Sequence, residues 1–210
     1  VHCDVKPENI LVGMDPGDPG LAGALKLCDF GQAAPPESMG TYVGTRWYRA
    51  PELLLGARGD QAVDIWAAGC TLAELLLRRP LFPGSDLRDM LFKICGELGA
   101  PDPDEVEAWP LASKFIEASR RTNAPAVAWS SLARAGASEG GVNLLSALLR
   151  YNPSRRLRPD KALKEAPFFA PGAVEVAIPL APARPQSPGT MQRHRDEATA
   201  VEKRIGKAAP

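Results

Sequence analysis

The 210-residue sequence has no long hydrophobic run, no net charge and no cluster of cysteine and histidine residues. Its longest apolar stretches, such as Leu75-Leu76-Leu77, are far shorter than the roughly 20 residues that a membrane-spanning helix needs. The 25 Lys and Arg residues balance 25 Asp and Glu residues, so no overall field attracts nucleic acid or an anionic membrane surface. We therefore expect neither nucleic acid nor a membrane among the partners of this protein.

The cysteines are too scattered to indicate a disulfide framework or a zinc site. The sequence contains four, without any Cys-x-x-Cys spacing: Cys3, Cys28, Cys70 and Cys95. Thiols spaced in this way are typical of a reducing compartment. The expected location is therefore the cytoplasm or the nucleus.

Composition and periodicity indicate a mainly α-helical globular domain. With 45% hydrophobic and 24% charged residues, the chain has an ordinary globular composition and the length for one substantial core. Two short strands, at 10–12 and 24–28, flank a turn at 13–23 that contains Asp-Pro-Gly twice. Apolar residues then predict a buried helix over 63–77 and an amphipathic helix over 86–98, which Ser85 or Asp86 can cap.

The second half of the chain carries weaker signals. Shorter helices are predicted at 111–119, 142–150 and 159–166, the last with proline in its first turn. From about residue 172 the chain is rich in Pro and Ala and then in charge, so we expect a mostly disordered tail with a helical stretch at 192–205. The expected organisation is one domain at 1–171 and a tail at 172–210.

Three motifs in the first 52 residues carry side chains suited to phosphoryl transfer. They are His-Cys-Asp-Val-Lys-Pro-Glu-Asn at 2–9, Asp-Phe-Gly at 29–31 and Thr-Arg-Trp-Tyr-Arg-Ala-Pro-Glu at 45–52. This reaction requires that the transferred phosphate be held, its charge neutralised and the acceptor hydroxyl aimed in line. Asp4 can accept the hydroxyl proton, and Lys6 can place a cation near the phosphate. Asn9 and Asp29 offer the oxygen ligands that Mg²⁺ prefers.

In this order the motifs resemble those of the protein kinase family, and the resemblance covers residues 1 to about 169. Within the family the chain is similar to the group of cyclin-dependent, MAP and cyclin-dependent-kinase-like kinases, through residues 42–52 and Pro-Leu-Phe-Pro-Gly at 80–84. The stretch 91–101, with Trp-Pro at 109–110, is similar to the male-germ-cell-associated and intestinal-cell kinases. Residues 25–31 also suit the cyclin-dependent-kinase-like branch.

The resemblance implies a serine/threonine protein kinase that uses ATP and Mg²⁺ and acts on proteins at Ser/Thr-Pro sites. Both branches include kinases tied to cilia, which adds the cilium to the expected locations. The implied catalytic residues are Asp4, Lys6, Asn9, Asp29 and Thr45. The Thr45 hydroxyl is implied to bond Asp4 and Lys6. The implied nucleotide contacts are Lys6, Asn9, Asp29 and the neighbouring Cys28, with Asn9 and Asp29 as metal ligands.

Four further residues are implied to be structural. His2 is expected to pack under Phe30 and to tie the catalytic loop to the metal site. Glu52 is expected to form a buried ion pair with Arg156, because a buried carboxylate needs a cationic partner. Asp64 is expected to hold backbone amides of the catalytic loop.

Three departures from the family pattern concern activation. Cys3 stands where the catalytic loop usually has arginine, Ala34 replaces a common cation, and Gly40 replaces the phosphorylated threonine. We hypothesise that activation depends on phosphorylated Tyr42, gripped by Arg46 and Arg49, or on no phosphate. Two alternatives stay open: Thr41 substitutes for the missing threonine, or Cys3 is a redox sensor.

Two sequence features of nucleotide binding are also missing, since neither a Gly-x-Gly-x-x-Gly loop nor a Val-Ala-Ile-Lys lysine occurs. We therefore expect only the C-terminal lobe of a kinase, a helical bundle with short strands beside the catalytic loop, with the N-terminal lobe absent and required as a partner. Such a chain is expected to be inactive alone and to expose the apolar floor of the ATP cleft. The alternatives are a truncated, inactive binding module and, more distantly, a small-molecule kinase.

Overall fold

A computed structural model describes residues 1–13, 23–40, 43–121, 128–166 and 168 of the protein. All of them belong to one compact unit, Val1–Val176. Most of the predicted turn at 13–23, the predicted helix at 192–205, the whole tail at 172–210, and both Thr41 and Tyr42 lie outside the described residues.

The two predicted strands form an antiparallel hairpin. Strand β1 covers Ile10–Val12 and strand β2 covers Leu25–Leu27, with Ile10 opposite Leu27. The pairing continues beyond the strands, because the Cys28 N–H donates to the Asn9 carbonyl at 2.9 Å. Four apolar side chains of the hairpin are exposed to solvent: Leu11, Val12, Leu25 and Leu27.

Helices make up most of the remaining described structure, so the predicted mainly α fold with a small sheet is confirmed. Their bounds are α1 Pro51–Leu54, α2 Ala62–Leu77, α3 Leu87–Leu98, α4 Pro103–Val106, α5 Ala112–Arg121, α6 Ala128–Arg134, α7 Glu139–Leu148 and α8 Pro159–Glu165. None of the helices in the described ranges is long and apolar enough to cross a membrane.

Capping residues in the sequence set the first turns of α3 and α7. Asp86 caps α3 as predicted, and its carboxylate accepts the Asp89 N–H at 2.9 Å. Helix α7 begins three residues before the predicted start at 142, because Ser138 caps it by accepting the Gly141 N–H at 3.1 Å. Glycine at 140 and 141 has low helix propensity and hid this first turn. The short helices α4 and α6 were not predicted.

The core lies around helix α2, which packs against α6 and α7, while α3 packs against α5 and α6. Trp66 of α2 is fully buried and stacks on Phe82, with ring centroids 5.7 Å apart. Phe115 of α5 also contacts Tyr151 in the core, with the rings edge to face and their centroids 5.3 Å apart. This core supports the hairpin and the loops that carry the three motifs.

The predicted long ordered loop between the hairpin and α1 contains only short 3-10 turns in its described part. These turns are Phe30–Gln32, Pro36–Ser38 and Arg46–Tyr48. Three described non-glycine residues of the protein have left-handed backbone conformations, with φ of 67° at Cys3, 61° at Asp29 and 58° at Arg78. The first two lie in the motifs that carry the candidate chemistry.

Candidate active site

The first and third motifs meet in a cluster of three polar side chains. The Lys6 ammonium donates to Asp4 Oδ2 at 2.8 Å and to Thr45 Oγ1 at 2.8 Å. The Thr45 hydroxyl donates to Asp4 Oδ1 at 2.7 Å, and the Thr45 N–H donates to the same oxygen at 2.8 Å. The structure therefore brings together a carboxylate, a cation and a hydroxyl from positions up to 41 residues apart.

The Asp4 carboxylate is ionised in this setting although its residue is only 5% exposed. Burial by itself raises the pKa of Asp4, but hydrogen bonds from Lys6 and Thr45 outweigh it and hold the pKa below the ordinary value. The group is therefore a negatively charged acceptor at neutral pH. Such a group can orient a hydroxyl and accept its proton.

Asn9 and Asp29 are brought close together by the hairpin. Asn9 immediately precedes β1, and its carbonyl accepts the N–H of Cys28, which immediately precedes Asp29. The Asn9 amide nitrogen donates to the Asp4 carbonyl at 2.8 Å, which fixes the amide plane and leaves its oxygen as the ligating atom. The exposed Asp29 carboxylate accepts only the Gly31 N–H at 3.2 Å among the bonds described for it.

These two side chains fit Mg²⁺ better than a transition metal. Both supply hard oxygen atoms, and Mg²⁺ is usually held by one or two such protein ligands together with phosphate oxygens and water. Within the described ranges no group of three or more His, Cys, Asp or Glu residues is arranged to hold a metal ion. A metal bound here would therefore depend on the nucleotide for further ligands.

Asp64 of α2 binds the backbone of the catalytic loop. Its two carboxylate oxygens accept the N–H of His2 at 2.7 Å and the N–H of Cys3 at 2.9 Å. The His2 ring accepts the Asp4 N–H on Nδ1 at 3.3 Å and donates from Nε2 to the Cys28 carbonyl at 3.0 Å. These bonds connect the first motif to the residue before Asp29.

Two further contacts join side chains that the sequence paired. The His2 ring meets the Phe30 ring edge to face at 4.9 Å. Arg156 donates two hydrogen bonds, at 2.7 and 2.6 Å, to the two carboxylate oxygens of Glu52. The structure therefore brings together the predicted partners His2 and Phe30, and Glu52 and Arg156.

Comparison with known proteins identifies the family to which this chain belongs. Residues 1–169 match the family described as the protein kinase domain. The chain belongs to the protein kinase family. It is of the type that includes the cyclin-dependent and mitogen-activated protein kinases, as its curated relatives indicate.

Three of these relatives illustrate the similarity. The chain is 37% identical over 200 residues to "Cyclin-dependent kinase F-4" of Oryza sativa subsp. japonica, covering 90% of this chain and 40% of the relative. It is 40% identical over 201 residues to "Cyclin-dependent kinase D-1" of Arabidopsis thaliana, covering 89% and 45%. It is 38% identical over 180 residues to "Mitogen-activated protein kinase spk1" of Schizosaccharomyces pombe, covering 81% and 45%. The chain thus spans less than half the length of these relatives.

In a protein kinase, residues 29–52 form the activation segment, and here two of its arginines contact backbone carbonyls. Arg49 donates to the Val43 carbonyl at 2.9 Å and to the Gly44 carbonyl at 2.6 Å. Arg46 donates to the Ser85 carbonyl. Tyr42, the predicted phosphorylation site, lies outside the described residues.

Cys3 of the kinase domain is a poor candidate for a redox sensor. Its residue is 7% exposed, and burial together with the Asp64 carboxylate raises the pKa of its thiol. The reactive species in cysteine oxidation is the thiolate, which both effects disfavour. The buried thiol points to the Val1 carbonyl, which also accepts the Ala34 N–H at 3.0 Å. The structure thus disfavours the redox alternative for Cys3.

Sequence reasoning missed three sets of contacts around the site. Gln32 bonds the Gly44 N–H, and Met39 is buried in the domain. Tyr48 donates to the Glu74 carboxylate at 2.7 Å. No motif marks Gln32, Met39 or Glu74. Only the Tyr48–Glu74 pair has a sequence hint, since the hydroxyl of a buried tyrosine needs a hydrogen-bond partner.

Proposed function

We propose that the protein is a serine/threonine protein kinase that transfers the γ-phosphoryl group of ATP to protein hydroxyl groups. The observation that carries the proposal is the cluster of Asp4, Lys6 and Thr45, in which a buried ionised carboxylate lies 2.8 Å from an ammonium. Phosphoryl transfer depends on such positioning and charge stabilisation more than on covalent catalysis. Membership of the protein kinase family supports the same reaction.

Each residue of the site has a role that follows from its position. Asp4 orients the acceptor hydroxyl and accepts its proton, since its lowered pKa keeps it ionised. Lys6, bonded to Asp4, lies where its charge can offset that of the transferred phosphate. Asn9 and Asp29 would hold Mg²⁺, which would neutralise phosphate charge, and Cys28 would lie beside them at the nucleotide.

The proposed substrates are proteins with Ser/Thr-Pro sites. The bond from Lys6 to Thr45 supports serine or threonine acceptors, because it is the arrangement implied for Ser/Thr kinases. The names of the relatives, which are cyclin-dependent and mitogen-activated protein kinases, support proline-directed substrates. The male-germ-cell-associated, intestinal-cell or cyclin-dependent-kinase-like branch, and a location in cytoplasm, nucleus or cilium, stay predictions from the sequence.

We propose that activity also requires a nucleotide-binding lobe that packs on the exposed face of the hairpin. The 210 residues contain neither the Gly-rich loop nor the strand lysine that hold ATP phosphates in protein kinases. Leu25 is 68% exposed and Phe30 is 63% exposed, so the side chains beside the metal ligands offer an apolar surface to such a lobe. Residues 1–210 alone should bind ATP weakly.

The test measures phosphorylation of a Ser-Pro peptide with Mg-ATP by the full-length protein and by residues 1–210. The full-length protein should be active, Asp4→Asn should lower kcat by about a hundredfold or more, and residues 1–210 should show no turnover. A peptide with alanine in place of the Pro is the matched control for the proline preference. An inactive full-length protein would overturn the proposed kinase activity. Activity of residues 1–210 that disappears in Asp4→Asn would overturn the requirement for a second lobe.

A further inference from the structure

A hydrogen bond connects the beginning of the activation segment to its later part. The side-chain oxygen of Gln32 accepts the N–H of Gly44 at 2.8 Å, across 12 residues. Gln32 ends the 3-10 turn that follows Asp29, and Gly44 immediately precedes Thr45. The bond therefore joins the turn that follows Asp29 to the residue that precedes Thr45.

Gly44 is also in close contact with the catalytic loop. Its φ is +79°, and a Cβ atom built on it would lie 2.4 Å from the Cys3 carbonyl oxygen. No side chain fits there, so the Gly44 backbone lies directly against Cys3. Contacts with Gln32 and Cys3 thus fix Gly44, and the next N–H, that of Thr45, donates to Asp4.

A second attachment lies in the middle of the activation segment. Met39 is 6% exposed, and it is the one buried residue among the described residues 29–40 and 43–47. Its methyl group fills a recess at Gly59, where an added Cβ would lie 2.6 Å from Met39 Cε. The same Cβ would lie 2.6 Å from Val63 and 3.0 Å from Leu53, so these side chains complete the recess.

Neither attachment uses a phosphate. The residue after Met39 is Gly40, which has no hydroxyl to phosphorylate, and Cys3 and Ala34 supply no cation. The two attachments are one hydrogen bond and one apolar side chain, and they add to the backbone and arginine contacts already described. Both act on the segment that positions Thr45 against Asp4.

We propose that Gln32 and Met39 are positioning residues that hold the activation segment in its catalytic place without a phosphothreonine. The inference rests on the proposed kinase function, because it assigns the two residues a part in assembling the Asp4–Thr45 contact. The position of the segment can nevertheless be measured without any turnover.

The test uses the full-length protein after phosphatase treatment and follows hydrogen exchange of the peptide that covers residues 43–48. Gln32→Met keeps the side-chain length but removes the acceptor, and it should accelerate exchange about fivefold. Gln32→Glu keeps an acceptor oxygen and should leave exchange within about twofold of the unchanged protein. Met39→Gln places an amide in the apolar recess and should accelerate exchange about tenfold or more, whereas Met39→Leu, which conserves volume, should not.

Amides of residues 70–77 of helix α2 serve as the internal control, because they follow Val63 of the Met39 recess by at least seven residues and a positioning role predicts no change there. The inference is overturned if Gln32→Met and Met39→Gln leave the exchange of residues 43–48 unchanged. It is equally overturned if they accelerate exchange of residues 70–77 as strongly, or if phosphatase treatment of the unchanged protein alone has the same effect as the substitutions.

Peptide phosphorylation by the same proteins separates this inference from the proposed function. Gln32→Met and Met39→Gln should lower kcat by about the factor seen in exchange, with KM for ATP unchanged. If the variants show the expected exchange pattern but the unchanged protein has no turnover, the kinase function is overturned and the role of the two attachments is not. Altered exchange with unaltered kcat would overturn the positioning role.

Discussion

Arg156 and Glu52 lie 104 residues apart in the chain and form a bidentate ion pair with N···O distances of 2.7 and 2.6 Å. Their side chains are only 1% and 2% exposed. Arg156 also donates to the Ala62 carbonyl at 2.8 Å and lies 5.2 Å from the centre of the Trp66 ring. One guanidinium therefore connects the end of the activation segment, the start of α2 and the core.

Removing either partner of this pair should destabilise the domain strongly. Glu52→Gln or Arg156→Met leaves an uncompensated buried charge or acceptor, and we expect a loss of about 3–5 kcal/mol in the free energy of unfolding, measured by urea titration. The exposed pair of Arg158 and Asp160 provides the matched control. Asp160→Asn should leave the free energy of unfolding nearly unchanged, because exposed ion pairs contribute little. A loss at Glu52 no larger than that at Asp160 would contradict the prediction.

The sequence predicted the elements whose signals are local. Helix α3 has apolar residues at helical spacing and a capping Asp86, and both the helix and the cap are found in the structure. The start of α7 was misplaced because Gly141, a weak helix former, lies in its first turn. Helix propensity is a poor guide where a capping side chain, here Ser138, stabilises the first turn.

The candidate site likewise contains residues that could be predicted from the sequence and residues that could not. Residues in recognisable motifs, such as Asp4 and Asn9, could be assigned roles from the sequence because their spacing follows the chemistry. Gln32 and Met39 could not, since nothing in a loop sequence tells which glutamine meets a distant N–H or which methionine finds a recess at Gly59. These contacts depend on the tertiary positions of backbone atoms and not on any period of the sequence.

The stability of the domain should fall in acid partly through Asp4. The folded pKa of this carboxyl lies below its ordinary value of 3.8, because bonds from Lys6 and Thr45 outweigh burial. A lowered folded pKa contributes stability above the unfolded pKa, and this contribution is lost as pH falls through the folded pKa. Asp4→Asn should therefore destabilise the protein at pH 7, by about 1.5 kcal/mol or more, and have a smaller effect below about pH 4.

Thermal or urea unfolding of both proteins between pH 3 and 7 provides the measurement for Asp4. The difference in unfolding free energy between the unchanged protein and Asp4→Asn should become smaller towards low pH. Glu107→Gln is the control for a general effect of losing one carboxylate, since Glu107 lies on the exposed surface. A difference that stays constant over the pH range would contradict the assignment of a lowered pKa to Asp4.

The contribution of Glu74 to the stability of the domain should depend on pH in the opposite direction to that of Asp4. Burial and the nearby Glu8 charge raise its pKa above the ordinary value of 4.5, although the Tyr48 hydroxyl acts against them. A raised folded pKa favours the folded state at low pH, and this advantage is lost as pH rises through the folded pKa. Glu74→Gln keeps an acceptor for Tyr48 without the charge, so its stability relative to the unchanged protein should increase from pH 4 to pH 7.

Two further variants separate charge from hydrogen bonding at Glu74. Glu74→Ala leaves the buried Tyr48 hydroxyl without this partner and should cost about 1–3 kcal/mol at pH 7. Adding Tyr48→Phe to that variant removes the orphaned hydroxyl and should recover part of the loss. Unfolding free energies that show no recovery in the double variant would assign the cost of Glu74→Ala to packing instead.

Activation should not depend on phosphorylation of Thr41. In the full-length protein we expect Thr41→Ala to keep peptide kinase activity within about twofold, because the threonine position of the family pattern is Gly40. Activity assays of Tyr42→Phe then distinguish the two forms of the hypothesis, since a fall indicates a role of phosphotyrosine and no change indicates activity without a phosphate. An inactive Thr41→Ala with a normal Tyr42→Phe would show that Thr41 has replaced the missing threonine.

The left-handed backbone at Cys3, Asp29 and Arg78 has a consequence for engineering heat resistance. This conformation costs a side-chain-bearing residue about 1–2 kcal/mol, so the domain carries conformational strain at three described positions. Two of them adjoin the reacting groups, where relief by glycine would loosen the loop that positions Asp4. Arg78 ends helix α2 far from that loop in the sequence, at a place where glycine is the ordinary helix terminator. Thermostability can therefore be gained at Arg78 without touching the chemistry.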